Sequence, residues 1–245
     1  MPDIPTTRPR RAVYALYSLA AALLLLGRAL GRPDPRRRNG IPLPLRMLSS
    51  ALVLACALLL RRSAGPRQDR AARLVAGGMG CGFVGDLVMA RIIPLPKHVI
   101  FGMLAFGAGH VLYMRAFLDR ARAMAAGETA TAGRAATAVG VGWALGLAGW
   151  WALARNPALG KTLNYSALAY SLLLSSMSGL AASLAARDRR YTPLAIGGAL
   201  FLASDTLLAS ELFRKTHFTG IGDVVWLAYI TGQALIVGTI GLEEI

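Results

Sequence analysis

Two aspartates, Asp86 and Asp205, stand inside long apolar runs of the chain. A carboxylate near a bilayer centre costs about 2.5–3.5 kcal/mol on insertion scales, so neither is expected to face lipid. Two carboxyls on different helices that face one interior can divide into a protonated acid and an ionised base. That pairing serves general acid–base hydrolysis. It also suits a proton-coupled carrier. The plainer reading is structural: an interhelical hydrogen bond, or a partner for a buried cation. No Lys or Arg falls mid-span to act as that cation.

Helical spacing gives each aspartate company. Gly78, Gly82 and Asp86 follow at i, i+4 and i+8 and share one face, where small residues let a neighbouring helix approach closely. Gly102, Phe106 and His110 repeat that spacing, with Tyr113 three residues on. Gly198, Phe201 and Asp205 form a stripe, as do Trp226, Tyr229 and Gln233, and Tyr170 shares a face with Met177. Taken singly, each has an ordinary explanation: His110 as a bonded core residue, Tyr113 and Tyr229 as packing aromatics, Gln233 as interhelical glue. Glu211 is expected at the interface and Asp223 as the N-cap of the last span. His98 and His217 fall at span ends. Three histidines without a His-x-x-x-His or Glu-x-x-His pair argue against a metal, and Cys56 and Cys81 have no metal spacing. No nucleophile elbow or cofactor motif is present, so no cofactor is expected.

The elements that carry these residues are membrane spans. The chain has 245 residues, 55% hydrophobic and only 16% charged, against about 25% charged in soluble domains. Eight runs reach the roughly 20 residues that a span needs: 12–30, 45–60, 71–90, 98–118, 135–154, 162–186, 191–213 and 222–242. The fold class is therefore all-α, a polytopic bundle of about eight transmembrane helices. We divide it into a tail (1–11), a single membrane domain (12–242) and a short C-terminal tail (243–245). No segment alternates as a barrel strand would.

Proline and glycine punctuate the connections. Pro33 and Pro35 close the first, Pro94 and Pro96 the third, Gly127 to Gly133 form a flexible connector, and Pro157 with Gly160 precedes span six. The net charge of +15 sits in short loops beside spans, where lipid headgroups account for it better than nucleic acid does. Lys and Arg crowd the side of the N-terminus, which places both termini in the cytoplasm; Arg32, Arg36, Arg37 and Arg38 in the first loop argue the other way. Spans three and seven each carry a small residue, Asp and aliphatics, and each is followed by a span with an aromatic and a hydrogen-bonding residue. This order suggests a parallel 4+4 repeat about the membrane normal.

The run Gly82-Phe83-Val84-Gly85-Asp86, then Gly102-x-x-x-Phe106-x-x-x-His110-x-x-Tyr113, resembles the YhhN family of integral membrane lysoplasmalogenases. The runs Gly198 to Leu208 and Tyr229-Ile230-Thr231-Gly232-Gln233 resemble that family's C-terminal signatures, and Tyr170 with Met177 matches a weaker one. The similarity covers roughly 41–242. One departure stands out: the family usually has Lys-Pro-Leu at the start of span two, and here the stretch reads Ile41-Pro42-Leu43. If that lysine helps bind a headgroup phosphate, Arg38 or Arg46 must take its place, or the substrate differs.

The resemblance implies hydrolysis of the vinyl-ether bond of lysoplasmalogens, giving a fatty aldehyde and a glycerophospho-ethanolamine or -choline. Protonation of the terminal alkenyl carbon generates an oxocarbenium ion, as in glycoside hydrolysis, and water then adds to it. Asp86 and Asp205 would be catalytic. His110, Tyr113, Tyr170, Tyr229 and Gln233 would orient water or hold substrate. The implied partners are a lysophospholipid and membrane lipids. Other readings remain: hydrolysis of a different lipid, proton-coupled transport, or a non-catalytic relative.

Overall fold

The computed structural model describes residues 7–31, 39–64, 69–124 and 131–242. Eight helices are long and apolar enough to cross a membrane. In chain order they are α1 (Thr7–Leu30), α2 (Leu43–Ser63), α3 (Asp69–Met89), α4 (His98–Met124), α5 (Thr131–Gly149), α6 (Lys161–Arg187), α7 (Thr192–Arg214) and α8 (Ile221–Leu242). Each coincides with one of the expected spans, and no strand occurs among the described residues. The protein is an all-helical, multi-pass membrane bundle.

Two boundaries differ from expectation. α1 starts at Thr7, ahead of the apolar run, because Arg8, Arg10 and Arg11 extend the helix. α5 starts at Thr131, so Gly133 lies inside a helix rather than in a connector. The rest of that connector, 127–130, lies outside the described residues, as do Pro33, Pro35, Arg38 and the tails 1–6 and 243–245.

α5 ends in a π-helical turn, Trp150–Ala154, in which the Arg155 N–H reaches back to the Trp150 carbonyl at 2.7 Å. Such wide turns recur at functional sites. Pro157 and Gly160, whose φ of 82° suits glycine, then reverse the chain into α6.

The packing order has a two-part pattern. α1, α2, α3 and α4 pack in sequence, and so do α5, α6, α7 and α8. α2 also packs on α8, and its counterpart α6 packs on α4. This exchange is what a parallel 4+4 arrangement produces. The pattern breaks once: α3 packs along α8, whereas α4 and α7 do not pack closely and α7 instead meets the π turn.

Candidate functional site

Asp86 lies near the end of α3, is 4% exposed, and sits where α2, α3 and α8 meet. Its Oδ2 accepts from Ser50 Oγ at 2.5 Å and from Tyr229 OH at 3.0 Å. Gln233 Nε2 donates to the Tyr229 hydroxyl at 3.3 Å, and Tyr113 OH donates to Gln233 Oε1 at 2.6 Å. Four helices thus share one chain of donors that all point towards the carboxylate. Glycines make room for it. A Cβ on Gly82 would lie 2.6 Å from Gln233 Nε2, and one on Gly78 would lie 2.5 Å from the Tyr113 ring.

Asp205 heads a second chain. Its Oδ2 accepts from Tyr170 OH at 2.5 Å, and His110 Nε2 lies 3.1 Å from the same hydroxyl. Tyr170 spends its single hydrogen on Asp205, so His110 is assigned as the donor through Nε2. The His110 ring is buried, and its Nδ1 has no hydrogen-bond partner among the described residues. The edge of the His110 ring meets Phe201 at 4.7 Å, and Phe201 meets Tyr229 at 5.1 Å. Aromatic rings therefore separate the two chains, while Asp205 remains within electrostatic reach of Asp86.

All seven residues singled out from the sequence fall into these two chains. Ser50 was missed: a serine pair in a short apolar run carried no spacing signal of its own. One other reading is corrected. Asp223 is not the cap of α8, which begins at Ile221; its carboxylate accepts from the Gly40 and Ile41 N–H groups at 2.8 and 3.0 Å, holding the start of α2 against α8. Glu211 lies in the last turn of α7, three residues before its end at Arg214, and is buried against the protein, at 8% exposure. Arg46 sits 5.6 Å over the Trp226 ring and donates to Asn39 Oδ1 at 3.3 Å. No three His, Cys, Asp or Glu side chains gather as a metal site among the described residues.

A cavity of about 640 Å³ fills the space left where the α4 and α7 backbones stay apart. Asp205 and Tyr170 line it; Asp86 and Arg46 do not. The rest of the wall is almost wholly apolar, from Val99, Met103 and Phe106 on α4 to Leu212 and Phe213 on α7. One end lies among the helix termini at Met89, Val99, Trp150 and Phe213, and the other reaches Leu174, Ala199 and Leu202 well inside the bundle. Leu145, Ala199 and Ala203 line the cavity yet are exposed, so the wall between α5 and α7 opens sideways at the depth of the bilayer.

The YhhN family model matches residues 44–240. The chain belongs to the YhhN family. No curated protein and no solved structure is similar enough to be matched. The matched span contains both aspartates, Ser50 and every other member of the two chains.

Proposed function

We propose that this YhhN-family protein hydrolyses the vinyl-ether bond of a lysoplasmalogen, releasing a fatty aldehyde and a glycerophospho-ethanolamine or -choline. The observation that carries this reading is a carboxyl group, that of Asp205, in the wall of an apolar cavity that opens sideways between α5 and α7. A lipid with a single chain can pass its tail through such an opening without leaving the bilayer. The volume falls within the roughly 300–1,000 Å³ of ordinary ligand sites.

The chemistry follows from the two carboxyls. Asp205, protonated, gives its proton to the terminal alkenyl carbon, and the electrons of the double bond take it up. An oxocarbenium ion forms and Asp205 becomes a carboxylate. Water adds to the cation and returns a proton to that carboxylate. The hemiacetal then collapses to aldehyde and alcohol, and one water has been consumed. Asp86, held by Ser50 and Tyr229 across the aromatic layer, lies within electrostatic reach of Asp205, and two buried carboxyls so placed favour a protonated member of the pair. Tyr170, itself held by His110, positions the Asp205 carboxyl in the cavity wall. With the termini cytoplasmic, the cavity end at Trp150 and Phe213 belongs to the outer leaflet.

The test is aldehyde release from lysoplasmenyl-ethanolamine and -choline by the purified protein. Asp205→Asn and Asp86→Asn are compared with wild type after each is shown to be folded. Aldehyde from wild type and little from either variant supports the reading. Well-folded wild type that releases none from either lipid overturns it. Uptake of substrate driven by a proton gradient, without product, would indicate a carrier instead.

A further inference from the structure

We infer that Arg155 and Arg214 form an anion site at the rim of the cavity that takes the phosphodiester of a lysophospholipid headgroup. The inference rests on the proposed use of the cavity for a single-chain lipid. Both arginines converge on Trp151. The Arg155 guanidinium lies 4.3 Å from the Trp151 ring centroid, and Arg214 donates to the Trp151 carbonyl at 3.4 Å. Neither guanidinium has a carboxylate partner among the described residues. Neither arginine lines the cavity itself; each follows a lining residue at the end of it, Arg155 after Ala154 and Arg214 after Phe213.

The π turn creates this juxtaposition. It carries Trp150 into the cavity wall, where the indole donates to the Asn164 carbonyl at 3.0 Å, and turns Arg155 back over Trp151. A plain α-helical ending would present Arg155 on a different side of α5.

The spacing matches a lysolipid. Arg214 is nine residues beyond Asp205 on α7, a rise of roughly 13 Å and about half a turn round the helix, so its long side chain reaches the rim from the side, where it meets the Trp151 carbonyl. Arginine side chains lean towards the helix N-terminus, so the guanidinium reaches back along that distance. A vinyl ether at Asp205 places the glycerol in the remaining gap and the phosphate at the two arginines, with the tail running inwards towards Leu174 and Ala199. Guanidinium groups bind phosphate oxygens in pairs, with more directional hold than ammonium groups. The phosphate contact expected of Arg46 is thereby moved to the opposite half of the molecule, because Arg46 packs over Trp226 away from the cavity.

The test measures binding rather than turnover. The ligand is a saturated alkyl-ether lysophosphatidylethanolamine, which has no vinyl ether to cleave. Alkylglycerol supplies the tail without phosphate, and inorganic phosphate supplies the anion without the tail. Wild-type protein in maltoside micelles should bind the lysophospholipid more tightly than alkylglycerol. The Arg155→Gln/Arg214→Gln double variant should lose about tenfold to a hundredfold in affinity for the phospholipid and keep its affinity for alkylglycerol. Restoration by the double lysine variant would show that charge, and not folding, was lost. The site is refuted if the glutamine variant binds the phospholipid like wild type, or if alkylglycerol binds wild type equally well. Inorganic phosphate that binds as tightly as the lipid would also refute a headgroup site. Aldehyde release decides the hydrolase reading separately, since an uncleaved lipid can still be bound.

Discussion

Around Asp86 the helices close, and around Asp205 they part. Asp86 has α2, α3 and α8 against it, two hydroxyls on one oxygen and glycines that bring the neighbours in. Asp205 lies on α7, whose backbone stays apart from α4 although Phe201 meets His110, and the Tyr170 hydroxyl holds it against a cavity. The difference separates two roles that a pair of carboxyls in one bundle can take. A carboxyl enclosed by donors and closed off from the cavity is fixed in position. A carboxyl on a cavity wall can exchange its proton with whatever fills the cavity.

The sharpest way to break this comparison is to neutralise each aspartate in turn. Asp205→Asn removes the proton donor and should lower kcat by about 10³–10⁴, with KM little changed. Asp86→Asn removes the second carboxyl, which does not touch the cavity, and should lower kcat by about 10². Aldehyde release under saturating substrate measures both. Equal losses would end the division of roles, and the reverse order would exchange them.

A smaller effect sharpens the same contrast. Tyr170→Phe leaves the Asp205 carboxyl without its only hydroxyl partner from another helix and should reduce kcat about tenfold to a hundredfold. Ser50→Ala should leave turnover nearly intact, because Tyr229 still holds Asp86. It should instead lower stability by about 0.6 kcal/mol, and no more than about 1.7, as interhelical hydrogen bonds in membranes do. Turnover of both variants beside their unfolding midpoints in denaturant separates the two outcomes.

Much of the fold was legible because a bilayer imposes length and apolarity on every span, and those are read directly from composition. The seven candidate residues were legible for a related reason. A polar side chain in an apolar run must find a partner, so Asp86, His110, Tyr113, Tyr170, Asp205, Tyr229 and Gln233 announce themselves. Ser50 did not, since a serine can satisfy its own helix, as Ser49 does with the Arg46 carbonyl. Asp223 was misread because a carboxylate near a helix start usually caps that helix, whereas here the nearest free N–H groups belong to Gly40 and Ile41 in another segment. The cavity was invisible. Its wall of Leu, Met, Phe and Ala has the same composition as a lipid-facing surface, and only the wide spacing between the α4 and α7 backbones turns it inwards. Arg155 and Arg214 lie far apart in the sequence with no spacing to link them, and only the π turn brings them to one tryptophan.

The smallest expected effect probes the opening itself. Ala203 lines the cavity and is exposed between α5 and α7, so a larger side chain there meets lipid rather than a packed core and should leave the fold undisturbed. Ala203→Trp should narrow the lateral slit. The tail of a long-chain lysoplasmalogen must pass that slit, because the cavity reaches only from Asp205 to Ala199, six residues or roughly 9 Å, below the reacting bond. A short alkenyl chain fits inside without crossing it. kcat/KM for long-chain substrate should therefore fall several-fold while that for a short-chain analogue holds. An equal fall for both would place the tail elsewhere in the cavity, and no fall for either would mean that the lipid reaches Asp205 from the rim at Trp150 and Phe213.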